Sequence, residues 1–459
     1  MKQAYITVFF SLIFMILSSM IISVFAGIRI NAFKLKAECA YSVAANSVLG
    51  EYHKELLELY DLFYIDTSYK TAIPDYHQIE AHLWDYVEKN LEISPASVEI
   101  NQILMATDDK GIAYRKQISA YMKDKIGVSY VEQLLGLWEE VSKEGVLNED
   151  LSIQNKWNNT WQGAMEKGET ISEDEWKKIE KYSPIENSYC AKESFVLGQV
   201  IEKESSISNK YVNVAEYASS RDCIVGTGSN QELNQMDKIY FVSYLFEKFS
   251  CYTSERPTGL LDYEIEYLIG QGGSDYENLC AVSKKLLAFR ECMNLTFLLS
   301  DSEKMSLIKE IATALSALIF CPELAPVFEV LIIGLWSYIE SVNDVKTLFE
   351  GGKVPLMKNK SLWGTSLNGG LLLNFSTDES SQGQTGLDYR QYLELFLLFS
   401  NNEVITYKSM DLIEMNIRKT GGNENFRLDA CAEEFLVNLV FEIEQLGSYQ
   451  IVRKFGYGI

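Results

Sequence analysis

The chain has 459 residues, which is enough for one large domain or for two to three ordinary ones. Hydrophobic residues make up 47% of it and only 7 residues are proline, so a largely disordered or linker-like chain is excluded. The formal net charge of −23 gives a surface that repels phosphate backbones. We therefore expect no nucleic acid among its partners.

The first 28 residues form one apolar stretch, MKQAYITVFFSLIFMILSSMIISVFAGI, and no charged side chain occurs between Tyr5 and Ile28. A helix needs about 20 predominantly apolar residues to cross a hydrocarbon core of ~30 Å. The sequence therefore predicts a transmembrane anchor over residues 1–28, with the lipid bilayer as its first partner.

Two other interpretations of this stretch stay open. Lys2 and the sequence before Ala26 fit the basic start and small-residue cleavage site of a secretory signal peptide, although the apolar part is too long for one. Pilin-type trimming near Ala4 is the other. We favour a retained signal anchor. The cations that follow it are Arg29, Lys34 and Lys36. By the positive-inside rule alone, they would place the body in the cytoplasm.

Apolar and small residues continue at intervals of three or four beyond the anchor. They are Phe33, Ala37, Ala40, Ala44, Val48 and Tyr52, followed by Leu56, Leu59 and Phe63. This period predicts one helix from Tyr5 to about Leu62, on the order of 85 Å long. Its alanines favour close packing against a sheet or another helix.

The rest of the chain is predicted to be mostly helical, with strands near both ends of the body. Helices are predicted over residues 76–91 and 112–125, across most of 129–360, and at 389–399 and 404–419. A partly alternating pattern predicts a strand over 97–105, and residues 435–443 and 449–455 predict a C-terminal β-hairpin. Residues 376–386 are predicted to form a polar loop.

The apolar segment from Leu307 to Val342 raises the question of a second membrane pass. It is interrupted by Pro322 and by four carboxylates, Glu310, Glu323, Glu329 and Glu340. Charged groups at mid-bilayer are costly, so we expect buried core helices here.

No pattern in the sequence predicts catalysis or metal binding. The close pair His77 and His82 has an offset of five, which does not place both rings on one helix face as zinc sites require. The lone Gly226-Thr227-Gly228 lacks the remainder of a phosphate loop and predicts a turn. We predict no catalytic, cofactor-binding or metal-binding residue, and no enzyme.

Carboxylates and cysteines are considered separately because both are numerous. Asp262, Glu264 and Glu266 are the densest carboxylate set, but 64 acidic residues produce such clusters freely, and we interpret this one as an amphipathic segment. The eight cysteines include no Cys-x-x-Cys pair. Cys223 and Cys251 are the disulfide pair to test first, while the apolar surroundings of others favour mainly free, buried thiols.

The amino-terminal helix and its extension, AGIRINAFKLKAECAYSVAANSVLGEYHKELLELYDLFYID, resemble the start of TadE-like pseudopilins. More closely, the chain is similar to long envelope proteins of unknown function found with Tad-type (type IVb pilus) secretion loci in Gram-positive bacteria. The similar segments are YEIEYLIG from Tyr263, GGKVPL from Gly351, YRQY from Tyr389 and MDLIE from Met410.

The resemblance implies a non-enzymatic part of a pilus or secretion apparatus, with other membrane proteins of that apparatus as partners. It implies a single-pass protein of the cytoplasmic membrane with its amino terminus inside and its body extracytoplasmic, which overrules the charge-based orientation. Phe9 stands where a prepilin trimmed after Ala4 usually has glutamate, and the body is longer than a pilin head. A minor or accessory component is therefore expected.

The expected fold is α+β. It has a membrane anchor at residues 1–28, an extended helix and the first part of a pilin-like core at 29–128, a helical insertion at 129–425, and a hairpin completing the core at 426–459. Ser11, Ser18, Ser19, Ser23 and Gly27 are predicted to pair with another transmembrane helix. A membrane-tethered binding or adhesion protein is the alternative. An envelope hydrolase, third, would show a cleft with two carboxylates of raised pKa.

Overall fold

The computed structural model describes residues 2–144, 193–201, 207–228, 233–254, 259–318, 320, 322–368, 374–377, 385–443 and 447–457. Its helices are α1 Lys2–Leu49, α2 Lys54–Tyr60, α3 His77–Leu91, α4 Asp108–Lys125, α5 Val128–Glu144, α6 Glu193–Val200, α7 Val214–Tyr217, α8 Gln235–Lys248, α9 Glu264–Gly270, α10 Asp275–Ser300, α11 Ser302–Leu318, α12 Ala325–Phe349, α13 Tyr389–Phe399 and α14 Asn402–Arg418. Its strands are β1 Ile65–Asp66, β2 Ser97–Met105, β3 Thr365–Asn368, β4 Asn374–Thr377, β5 Cys431–Ile443 and β6 Gly447–Gly456. The α+β prediction is confirmed.

The chain divides into two compact units. Unit 1 comprises Met1–Gln117, Ser219–Glu232 and Thr420–Ile459, and unit 2 comprises Ile118–Ala218 and Leu233–Lys419. The chain thus leaves unit 1 after Gln117, returns to it for a short segment, and returns again after Lys419.

The sheet of unit 1 is antiparallel and is organised around β5. β2 pairs along one side of β5, and β6 and the short β1 pair along the other. The predicted strand at 97–105 and the predicted C-terminal hairpin therefore meet in one sheet. The hairpin loop at 444–446 lies outside the described residues.

One face of this sheet is covered by α1 and α3. Along β5, alternate side chains from Phe435 to Phe441 are buried, as the period-two pattern predicted. The buried side chains that they meet on the two helices are Ala37, Ala40, Tyr41, Ala44, Ala45 and Val48 on α1 and Ile79, Leu83, Val87 and Leu91 on α3. Small residues on α1 let its backbone approach the sheet closely.

The prediction that α1 continues to about Leu62 is wrong. The helix ends at Leu49, and α2 begins at Lys54 after a turn. The imidazole Nδ1 of His53 accepts a hydrogen bond from the backbone N–H of Leu56, which caps the new helix. The apolar periodicity continues past the end of α1 because α2 also buries an apolar side chain, Leu56, and this is why the sequence predicted one helix.

Unit 2 is mainly helical. Its helices α10, α11 and α12 share a core around Leu298, Ile308, Ile333 and Trp336, to which Trp363 also belongs. β3 and β4 form a two-stranded hairpin that the sequence did not predict. The predicted polar loop therefore starts later than expected, because Ser376 and Thr377 belong to β4; residues 378–384 lie outside the described part.

Candidate functional site

The amino-terminal half of α1 makes no buried contacts along its most apolar stretch. Apart from the half-buried Ile13, its large apolar side chains from Ile6 to Ile28 are 51–73% exposed, Phe14 being the most exposed of them. Such a surface is stable in hydrocarbon and costly in water. By length and composition α1 is able to cross a membrane as an anchor, and a signal sequence would meet the same criteria.

The five predicted pairing residues do not form one face. At about 100° per residue, Ser19, Ser23 and Gly27 form one row, and Ser11 and Ser18 lie roughly a third of a turn away. Ser19 and Ser23 are exposed, and no atom lies within 4 Å of the position that a Cβ on Gly27 would take. The helical geometry therefore places Ser19, Ser23 and Gly27 on one side of α1 and Ser11 and Ser18 on another.

The row of three continues onto the side of α1 that packs on the sheet. By the same angular step, Ala37, Tyr41 and Val48 lie on that side, and all three are buried. The side of α1 that carries the row of three small residues in the amino-terminal half is therefore the side that packs on the sheet in the carboxyl-terminal half.

Polar contacts join α1 to β6 along its outer half. The Tyr41 hydroxyl donates to the carbonyl of Arg453 at 3.2 Å, and burial raises the pKa of Tyr41 to about 12, so it remains a donor. The Arg453 guanidinium lies 2.8 Å from the Glu38 carboxylate, which also accepts from the Tyr449 hydroxyl. Farther along, the Tyr457 hydroxyl donates to the carbonyl of Leu49.

The carboxylate of Glu51, just beyond the end of α1, is a second point of attachment. It accepts hydrogen bonds from the hydroxyls of Tyr69 and Tyr86, each at 2.6 Å, and lies 2.9 Å from the imidazole of His82. Because Tyr86 and His82 belong to α3, this cluster joins the end of α1 to α3. The sequence did not indicate it, since its members are 18 to 35 residues apart.

The Gly226-Thr227-Gly228 segment belongs to unit 1 and binds an anion supplied by the chain itself. The backbone N–H groups of Gly226 and Gly228 donate to the carboxylate of Asp108, at 2.9 and 3.3 Å. The backbone and hydroxyl of Thr227 both donate to the carbonyl of Ile103 on β2. The segment holds the edge of β2 and its glycine N–H groups are occupied by protein.

The carboxylates near residue 264 lie in unit 2. Asp262 pairs with Lys210 near the surface, whereas Glu264 and Glu266 on α9 are 2% and 0% exposed. Burial raises the pKa of both glutamates, that of Glu266 to about 7. The prediction of an amphipathic segment placed these side chains too near the surface.

These two glutamates hold the chain that follows α8. Glu264 accepts from the backbone N–H of Ser250, and Glu266 accepts from the backbone N–H of Tyr252 and from the Tyr389 hydroxyl. A glycosidase pair needs access for substrate and water. Carboxylates as buried as these have no such access in this conformation.

A buried ion network is the other feature of unit 2 that the sequence did not indicate. Arg290 on α10 contacts Asp344 on α12 at 3.0 Å, and the Lys358 ammonium contacts both Asp344 and Glu340. All four side chains are 0–2% exposed. Their charges balance, which offsets part of the cost of removing them from water.

Metal and disulfide chemistry find little support in the described residues. No group of three or more His, Cys, Asp or Glu side chains there is arranged to hold a metal ion. The pair proposed for a disulfide, Cys223 and Cys251, consists of two free thiols. Cys190 and Cys321 lie outside the described residues.

Residues 174–443 match a family described as "Family of unknown function (DUF5702)", and this range exceeds half of the chain. The chain belongs to the DUF5702 family. No curated protein and no solved structure matches it. The description of DUF5702 names no activity and no pilus or secretion role.

The DUF5702 match includes the helices of unit 2 from α6 onward, the Gly226 segment and β5 as far as its last residue, Ile443. It excludes α1, α3, β2 and β6. The buried carboxylates of α9 and the ion network therefore lie inside the matched range, whereas α1 and β6 lie outside it.

Proposed function

We propose that this DUF5702 protein is a non-enzymatic, membrane-anchored component of a Tad-type pilus or secretion apparatus, either a minor pseudopilin-like subunit or an accessory protein. The observation that carries the proposal is the continuity of α1. One helix of 48 residues has a lipid-compatible amino-terminal half and a carboxyl-terminal half that packs on an antiparallel sheet.

The physical role of such a helix is to fix the body to the membrane without a flexible joint. At about 1.5 Å per residue, α1 is roughly 70 Å long. Its outer half is held by Tyr41, Glu38 and Leu49, and Glu51 holds the turn beyond its end. A displacement of the anchor is thereby transmitted directly to the sheet.

The proposed location is the cytoplasmic membrane, with a single pass, the amino terminus inside and the body extracytoplasmic. Large domains cross membranes largely regardless of flanking charge, so the cations after the anchor do not oppose this orientation. Retention of the anchor is part of the proposal, with pilin-type trimming near Ala4 as the variant that would release the helix from the bilayer.

The proposed partners are membrane helices of the same apparatus. Helix association in lipid relies on close backbone approach and interhelical hydrogen bonds, which small and hydroxyl-bearing residues permit. Ser19, Ser23 and Gly27 offer the longer row and Ser11 with Ser18 the shorter one. We assign the pairing to the longer row, because its three members are spaced four residues apart.

The test uses two paired variants of the full chain expressed in a strain that makes the apparatus. Ser19→Leu/Ser23→Leu should abolish co-purification with pilus membrane proteins while the protein stays in the membrane fraction. The matched variant Ser11→Leu/Ser18→Leu changes the shorter row and should retain the partners. Equal partner recovery from both variants would refute the pairing face.

A second candidate, a membrane-tethered binding or adhesion protein, is favoured by the extent of unit 2. That unit comprises more residues than the sheet-containing unit, and α1 belongs to the sheet-containing unit. The two candidates differ in whether the location of the protein depends on the rest of the pilus apparatus. Deleting the pilus ATPase and the platform protein should mislocalise an apparatus component, whereas it should leave an independent adhesion protein in place.

A further inference from the structure

The described residues between the end of α11 and the start of α12 present apolar side chains to solvent. Phe320 is 91% exposed and Leu318 is 52% exposed, and Ala317 and Pro322 are exposed beside them. We call these four residues the apolar tip. Phe320 also has a backbone φ of 57°, which is uncommon for a bulky residue. The exposed apolar surface is costly in water, so the tip is suited to a different environment.

The exposure of the apolar tip can be compared with that of the membrane helix in the same chain. The lipid-exposed side chains of α1 reach 73% at Phe14, and Phe320 exceeds them. The sequence contains no charged residue between Glu310 and Glu323. The end of the helical hairpin therefore resembles the surface of the anchor more than the surface of the body, on which charges are frequent.

The size and shape of the apolar tip favour lipid over protein. A stable protein interface buries about 800 Å² on each partner. One aromatic ring contributes roughly 150–250 Å², so four residues, two of them small, present about half of that area. They also form the end of a hairpin and not a groove. A lipid interface accepts such a protruding aromatic side chain without needing a matching shape.

We propose that the apolar tip inserts into the boundary between headgroups and acyl chains of a lipid bilayer, as a membrane contact additional to α1. The inference rests on the proposed function only because α1 supplies the bilayer. α12 is also long and apolar enough to span a membrane, but half of its most apolar stretch is buried. Its Glu340 and Asp344 are engaged in the buried ion network, so the contact is limited to the tip.

The experiment uses the full chain reconstituted in vesicles of phosphatidylcholine and phosphatidylglycerol that contain a phospholipid with a photoactivatable acyl chain. After irradiation, labelled peptides are identified by mass spectrometry. Peptides from α1 and from the tip should be labelled. Peptides containing Ile73, Val128 and Val225, which are 72–80% exposed, should stay at background and so report exposure without lipid contact.

Two variants make the test specific. Phe320→Ser should lower the labelling of the tip peptide at least fivefold without changing that of α1, and Val128→Ser should change neither. Hydrogen exchange in α12 checks that each variant is folded.

Labelling of α1 without the tip would overturn the inference while leaving the anchor intact. Labelling of the tip without α1 would support the inference and overturn the anchor. Absence of both would overturn the two together. Protection of the tip only on addition of pilus proteins would show a protein partner and would also overturn it.

Discussion

Lys358 is the residue whose removal tests the buried ion network most directly. The substitution Lys358→Met keeps an unbranched apolar stem and removes the charge. Among the residues that the structure describes, Glu340 would then remain buried with the backbone N–H of Gly364 and the hydroxyl of Thr365 as its donors. Asp344 would keep Arg290.

The expected loss follows from which charge is left unpaired. Removing one partner of a buried ion pair costs about 3–5 kcal/mol. Since Asp344 retains its arginine and Glu340 retains two donors, we expect about 3 kcal/mol. One factor of ten corresponds to 1.4 kcal/mol, so the equilibrium for opening α12 should increase on the order of 100-fold.

Native-state hydrogen exchange of α12 peptides measures this change. The matched control is Lys360→Met, two residues along the chain, where the lysine side chain is 56% exposed and contacts Glu303. Exposed ion pairs contribute little, so the control should leave hydrogen exchange in α12 close to that of the unsubstituted protein. Comparable exchange in the two variants would refute the network.

A double variant separates charge from packing. Lys358→Met/Glu340→Gln removes the unpaired charge and keeps an oxygen that accepts from Gly364. It should recover part of the protection that the single variant loses, as a double-mutant cycle would report. If it recovers none, the cost arises from the packing of the lysine stem and not from an uncompensated carboxylate.

Three further predictions concern unit 1 and are checked by hydrogen exchange or urea unfolding. Gly226→Ala would place a Cβ 2.1 Å from Asp108 Oδ2 and should cost about 2 kcal/mol, whereas Gly136→Ala, with open space around it, should stabilise its helix slightly. Glu51→Ala leaves two tyrosine hydroxyls and a histidine without their acceptor and should cost about 2 kcal/mol, seen as faster exchange in α3. Burial raises the pKa of Glu433 from 4.5 to about 7, so the folded state binds the extra proton and loses stability as pH rises through that window. Glu433→Gln should therefore raise the urea midpoint at pH 8 and leave it nearly unchanged at pH 4.5; an equal gain at both would contradict the burial argument.

The elements that the sequence predicted well are those with one buried face. The alternating side chains from Phe435 to Phe441 and the small residues of α1 pack against each other in one core. Both patterns are therefore visible in the sequence, and the hairpin and the outer half of α1 were located correctly. The end of α1 was placed too far along, because a period continues across a turn when the next helix also packs. Histidine is an unusual N-cap, so the presence of His53 did not indicate that a new helix begins at Lys54.

The polar interior could not be predicted from residue types. Glu340 is 18 residues from Lys358, and Arg290 is 54 residues from Asp344. In sequence each is indistinguishable from a solvated surface charge, and only the folded path of the chain brings them together. The contacts of the Glu51 cluster, and those that join the Gly226 segment to Asp108, were not predicted for the same reason, since the partners lie on separate elements.

The central place of β5 in the sheet determines when the fold of unit 1 can be completed during synthesis. β5 and β6 contain residues 431–456, so the sheet against which α1 and α3 pack cannot be completed until those residues have been made. Unit 2 has all of its residues by Lys419 and is free to fold earlier. Contacts between segments so distant in sequence also form slowly. We therefore expect a growing chain in which unit 2 folds while the apolar side of α1 that will pack on the sheet is still incompletely covered. During this interval that side is accessible to chaperones and proteases.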